Sequence, residues 1–195
     1  MTHARRASLM PTLPNIALTG KLRAGKDTVA DYLMERYGYA RYAFGDGVKD
    51  DFHRGNPAVP RHPKPRAAYQ EHGQMMRERY GHDVWVVRTM SQIAARKDSR
   101  PIVITDVRQP NELIWVKSSG YVVIRVNTTD GLRILRAVES RDHFHYADLM
   151  HETEKHIDSF VVDYEIDNNG DLFDLYSQID DIIVRARREH RNLSV

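Results

Sequence analysis

Asn15–Gly38 reads NIALTGKLRAGKDTVADYLMERYG, and its three parts decide the architecture of the whole chain. Asn15–Thr19 is a short apolar run that stops at a glycine, which suits a buried strand entering a tight turn. From Lys26 onward Val29, Ala30, Leu33, Met34 and Tyr37 recur at helical spacing, while Asp31, Glu35 and Arg36 fall between them. One face of that helix packs on a sheet and the other meets water, and Gly38 ends it. Between strand and helix lies GKLRAGKDT, Gly20 to Thr28, with the spacing G-x-x-x-x-G-K. Its glycines let successive N–H groups turn inward, the helix N-terminus adds a favourable dipole, and Lys26 adds a positive charge. Each of these attracts an anion, so Gly20, Lys21, Arg23, Ala24, Gly25, Lys26, Asp27 and Thr28 are the expected cradle for the polyphosphate of ATP.

Asp27 stands where a Ser or Thr usually follows the loop lysine, and Thr28 comes one place later. A hydroxyl in the first place normally ligates magnesium. Mg2+ is therefore expected to be held largely through waters and phosphate oxygens, oriented by Asp27 or Thr28. Asp27 reads equally well as a first-turn acid favoured by the helix dipole.

Beyond Gly38 strands and helices alternate. Tyr39 to Phe44 is expected as a strand and Gly45 to Phe52 as a short helix, and the four prolines of RGNPAVPRHPKPR then forbid regular structure. Ala67 to Ala95 is helical in pattern with a break near Gly81. Ile102 to Thr105 is a β-branched run stopping at Asp106, the signature of a buried parallel strand. A helix from Asn111 to Ser118, a strand from Tyr121 to Val126, a helix from Leu132 to Ser140, a strand from Val161 to Ile166 and a last helix from Leu172 complete the series. Such alternation predicts an α/β fold with a parallel sheet covered on both faces. Residues 1–14 are expected as a tail and 15–190 as a single domain.

Composition narrows the function classes. With 41% hydrophobic and 29% charged residues the chain belongs with soluble globular proteins, and its net charge of +2 gives no ground for wholesale nucleic-acid binding. No apolar run reaches the roughly 18 residues of a membrane span, so a cytoplasmic protein without membrane or nucleic-acid partners is expected. The absence of cysteine excludes disulfides and thiolate metal sites. The histidines of HETEKH, His151 and His156, are five apart rather than the four of a zinc-protease helix. No Asn-Lys-x-Asp tetrapeptide follows a later strand, which argues against a GTPase switch.

The order of motifs resembles the bacteriophage-type deoxynucleoside monophosphate kinases from about residue 15 to 185. The GKDT-containing loop, the helix of YQEHGQMMRERYGHDVWV, the segment TDVRQPNE and the final DYEIDNNGDLFDL carry that resemblance. It implies a three-layer P-loop kinase fold with a five-stranded parallel sheet in the order 2-3-1-4-5. It also implies an acceptor-binding insertion at about 45–98 and a mobile lid at about 130–156. The implied reaction is transfer from ATP, with Mg2+, to a deoxynucleoside monophosphate. Phosphoryl transfer asks a protein mainly to align two phosphates and offset their charge. Lys26, Arg108 and the lid arginines Arg133, Arg136 and Arg141 are the expected catalytic cations, and Asp106 the expected magnesium-water ligand or proton acceptor. Asp46, Lys49, Gln70, Arg77, Trp85 and Arg108 are expected around the acceptor. Arg133 and Arg136 share a helix face and repel unless an anion lies between them, with Glu139 and Asp142 as partial neutralisers. Glu152 and Glu154 resemble an acidic pair near the lid. Trp85 and Trp115 read first as packing residues. Dephospho-CoA kinase, phosphomevalonate kinase and a non-catalytic nucleotide-binding regulator are the rival readings, and the choice between monomer and homodimer stays open.

Overall fold

A strand apolar on both faces must be covered on both, and β1 (Ile16–Thr19) is buried along its whole length. It pairs in parallel with β3 (Ile102–Val107) on one side and β4 (Val122–Asn127) on the other. β2 (Ala40–Tyr42) and β5 (Tyr164–Asp167) add to the two edges. The result is a five-stranded parallel sheet in the order β2-β3-β1-β4-β5, as expected. The computed structural model describes residues 13–139 and 156–192.

Parallel strands need crossovers, and these supply the outer layers. α1 (Lys26–Tyr37) and the last helix, α7 (Leu172–Asn192), cover one face. Val29, Ala30 and Leu33 of α1 and Leu175, Ile179 and Ile183 of α7 meet Ile16, Leu18, Val103, Ile124 and Val126 there. The opposite face takes the alternate strand residues Ala17, Ile102, Ile104 and Val123, packed against Val86 of α4 (Val84–Ala94) and Val116 of α5 (Pro110–Ser118). Each fully buried aliphatic side chain contributes about 1.5–3 kcal/mol, so this two-sided alternation drives sheet formation. α2 (Phe44–Gly55) and α3 (Arg66–Tyr80) pack beside α4, and α6 (Asp130–Glu139) follows β4.

Several boundaries differ from the sequence reading, each for a tertiary reason. The second strand ends at Tyr42 rather than Phe44, because the Asp106 carboxylate accepts the Phe44 and Gly45 N–H groups (2.8 Å each) and starts α2 there. β3 continues through Asp106 to Val107, whose carbonyl accepts the Thr19 hydroxyl (2.8 Å). β5 begins at Tyr164 rather than Val161. Val161 is exposed, and the chain before it turns through a short 3-10 segment, Ile157–Ser159, held by Arg125. Leu13 and Pro14, read as tail, are packed: Leu13 rests on the core and the Pro14 carbonyl accepts the Tyr39 hydroxyl (2.8 Å). Within the lid region only residues 130–139 and 156 are described. Arg141, Asp142, His151, Glu152 and Glu154 lie outside the described residues.

Candidate active site

The turn between β1 and α1 contains three residues with positive φ, Gly20 (145°), Arg23 (65°) and Gly25 (101°). At two of them a side chain has no room. A Cβ on Gly20 would lie 2.5 Å from the Val126 carbonyl oxygen, and one on Gly25 would overlap the Asn168 amide nitrogen. The glycines are thus required by close approach as well as by φ. The first hydrogen bond of α1 runs from Val29 N–H to Gly25 O (3.1 Å), so the amides of the first turn point out of the helix end into the loop.

Lys26 completes the cradle. It is buried, and its ammonium donates to the carbonyls of Gly20 (2.6 Å) and Lys21 (3.0 Å), so the charge is folded across the mouth of its own loop. The loop is tied from outside by neighbouring elements. Arg133 Nε donates to Leu22 O (2.8 Å), the Thr128 hydroxyl and the Asn168 amide both donate to Ala24 O (2.9 and 2.8 Å), and Lys21 pairs with Asp158 (2.8 Å). The segment after β4, through Thr128 and Arg133, and the segment after β5, through Asn168, therefore hold the Leu22 and Ala24 carbonyls of the loop. A cleft of about 290 Å3 opens beside it, lined in part by Gly20, Lys21, Thr128, Asp158 and Asn169.

This arrangement corrects the expectation for the two lid arginines that are described. Arg133 and Arg136 each have protein partners of their own. Arg133 is buried, pairs with Asp130 (2.6 Å) and reaches the loop backbone, while Arg136 donates to Asn168 O (3.0 Å). Asp130, three residues before Arg133 and one helical turn away, takes the neutralising place expected of Glu139.

Beside the loop, at the carboxyl end of β3, which pairs with β1, lie Asp106 and Arg108. Asp106, at the end of β3, spends one acceptor position on each oxygen in capping α2. Arg108 sits half-buried in the next turn. Its N–H and that of Gln109 both donate to Glu112 Oε2 (2.8 and 3.0 Å), in a capping box at the start of α5. Glu112 is only 5% exposed. Burial, and then the Asp106 charge, push its carboxyl up to about 7, against the pull of the two N–H donors and of Arg77. Arg77 of α3 is half-buried; burial lowers its pKa, and the Glu112 charge works the other way.

The remaining expected residues are distributed less tightly. Lys49 pairs with Asp46 (2.6 Å), Asp46 with Arg41 (3.3 Å) and Arg41 with the exposed Asp27 (3.6 Å), a chain of ions from the first turn of α1 to α2. Thr28 is half-buried in that same turn, and Gln70 is exposed on α3. Trp85 is buried between α2, α3 and α4, with its indole N–H on the Gly73 carbonyl (3.2 Å) and Arg88 over its ring. Among the described residues no group of three or more metal-binding side chains converges. The donor set therefore suits an ion carried in on phosphate oxygens rather than one caged by protein. A larger groove of about 600 Å3 between α4 and α5, with Val87, Met90, Ile114 and Trp115 in its lining, has no cation among its lining residues and does not suit phosphate.

Sequence reasoning missed Thr128, Asn168 and Glu112 as parts of this site. The pattern Gln109-Pro-Asn-Glu112 does carry a capping signature, with proline at the first helical position. Thr128 and Asn168 directly follow strands, at the carboxyl edge where open parallel sheets bind ligands.

Residues 16–144 match the family described as AAA domain. No curated protein sequence matches the chain. Among solved structures, it is similar to the shikimate kinase from Acinetobacter baumannii in complex with shikimate, at TM-score 0.56 and 19% identity over 90% of this chain and 95% of that one. A gluconokinase from Sinorhizobium meliloti 1021 aligns at TM-score 0.56 and 15% identity over 94% and 97%. The shikimate kinase from Aquifex aeolicus vf5 aligns at 0.52 and 13% over 93% and 99%. At such identities the likeness shows the fold, that of the P-loop kinases. No helix among the described residues is long and apolar enough to cross a membrane.

Proposed function

The chain belongs to the AAA domain family, and on that premise we propose that it is a kinase that moves the terminal phosphoryl group of ATP to a deoxynucleoside monophosphate. The observation that carries the reading is Lys26, buried in a glycine-shaped cradle with its ammonium parked on the Gly20 and Lys21 carbonyls. Those carbonyls are weaker partners than phosphate oxygens, so a polyphosphate draws the ammonium off them and onto itself. The first-turn amides of α1 grip the same phosphates, and Arg133, Thr128 and Asn168 hold the loop rigid from behind. Magnesium, when bound with ATP, supplies charge neutralisation across the phosphate oxygens; Thr28, Asp27 and Asp106 are the groups of this chain that would orient its waters.

The acceptor class rests on charge. Arg108 follows β3, the strand paired with β1, Arg77 on α3 lies within electrostatic reach of Glu112 in the first turn of α5, and Lys49 lies on α2. Cations of this kind suit an anionic acceptor, and the motif order that resembles the deoxynucleoside monophosphate kinases favours phosphate as that anion. No protein nucleophile is required, because the acceptor phosphate oxygen attacks the terminal phosphorus as the bond to the ADP oxygen breaks. The test is an ADP-release assay with Mg-ATP over the common deoxynucleoside monophosphates, ribonucleotides, dephospho-CoA, phosphomevalonate, shikimate and gluconate. ADP release dependent on a deoxynucleoside monophosphate is expected. Release dependent on another acceptor would replace the substrate and keep the kinase, and ATP binding without release for any acceptor would favour a nucleotide-binding regulator.

A further inference from the structure

Arg108 is held between two pins. On its N-terminal side the Thr19 hydroxyl donates to the Val107 carbonyl (2.8 Å), and Thr19 immediately precedes the first glycine of the phosphate loop. On its C-terminal side a single oxygen of Glu112 receives the N–H groups of Arg108 and Gln109 (2.8 and 3.0 Å). Pro110 follows at once and has no N–H to offer, so these two amides are the last donors of the turn before α5. Val107 and Glu112 are both buried, which gives the turn little freedom between its pins.

Resting on the reading of this edge as the acceptor site, we propose that Glu112 is a positioning residue for phosphoryl transfer: its side-chain oxygen sets the turn that aims Arg108 at the acceptor phosphate. The side chain's length is what matters. Glutamate reaches from the first turn of α5 back to both amides, and aspartate, one methylene shorter, does not. Glutamine keeps the length and an acceptor oxygen while losing the charge. Displacement of a phosphate-aligning group by an ångström is enough to slow transfer strongly.

The test compares wild type, E112D and E112Q in the ADP-release assay with the preferred deoxynucleoside monophosphate. Binding of a fluorescent ATP analogue is measured alongside, as a readout of the phosphate loop. For E112D the KM for the acceptor is expected to rise about tenfold or more with ATP-analogue affinity within about twofold of wild type, and E112Q is expected to restore KM to within about threefold. Wild-type acceptor KM in E112D would overturn the proposal, as would a normal E112D beside an impaired E112Q, which would make charge rather than reach the relevant property. Equal loss of ATP-analogue binding in both variants would also overturn it, since the role would then be general to the fold. If wild type itself releases no ADP with any deoxynucleoside monophosphate, the underlying reading fails first and this inference falls with it, an outcome distinct from a failure in the variants alone.

Discussion

Replacing Glu112 by glutamine should make the protein more stable at neutral and alkaline pH, by an amount that follows from the upward shift of its carboxyl. The carboxyl is 5% exposed and faces the Asp106 charge, so its ionised form is disfavoured in the folded chain and it titrates at about 7 instead of the ordinary 4.5. Below pH 4.5 the group is protonated in both folded and unfolded chains and takes nothing from stability. As pH rises the unfolded chain ionises first, and stability falls until the folded carboxyl ionises as well, near 7; beyond that the loss is constant. A displacement of about 2.5 pH units at about 1.4 kcal/mol per unit amounts to about 3 kcal/mol. Glutamine keeps an oxygen for the Arg108 and Gln109 amides and never ionises, so it escapes this loss. Urea unfolding of wild type and E112Q at pH 5, 6, 7 and 8 measures the difference directly. The gap between them should widen in favour of E112Q up to about pH 7 and then level, with a midpoint separation of about 1–2 M for a slope of about 2 kcal/mol/M. A gap independent of pH, or one that widens toward acid, would refute the reasoning.

Two further changes probe the phosphate loop. Lys26→Ala should lower kcat by about 100-fold or more while leaving the far-ultraviolet circular dichroism unchanged, because the ammonium serves the loop mouth rather than the core. Phosphotransfer at the wild-type rate would show that another cation does this work. Gly25→Ala places a Cβ on the Asn168 amide at a φ of 101° and so dislodges the tie to the Ala24 carbonyl; binding of an ATP analogue, followed by fluorescence, should weaken about tenfold or more.

Much of the architecture was legible because it rests on local periodicity. The continuous β-branched run of Ile102 to Thr105 and the 3.6-residue recurrence of Val29, Ala30 and Leu33 describe a strand and a helix whatever lies around them, and β3 and α1 formed where those patterns stand. Legibility ended where one element's partner lies far along the chain. Phe44 looks like a strand residue until Asp106, sixty-two positions later, caps it into a helix.

The same division runs through the candidate site. Sequence by itself determined the phosphate loop, since glycine spacing, a following helix and a lysine at its start are all contiguous and each acts on an anion through its own short-range physics. It also placed Asp106 and Arg108 at the carboxyl end of a buried strand, because the β-branched run Ile102 to Thr105 stops just before them. Only the tertiary structure decided how the surrounding side chains are held: that Arg133 grips the Leu22 carbonyl and Asp130, that Asn168 and Thr128 brace Ala24, and that Glu112 sits buried within reach of the Asp106 charge. Hydrogen bonds between residues over a hundred positions apart leave no periodic trace, and a carboxyl's pKa depends on which charges and how much water surround it in space.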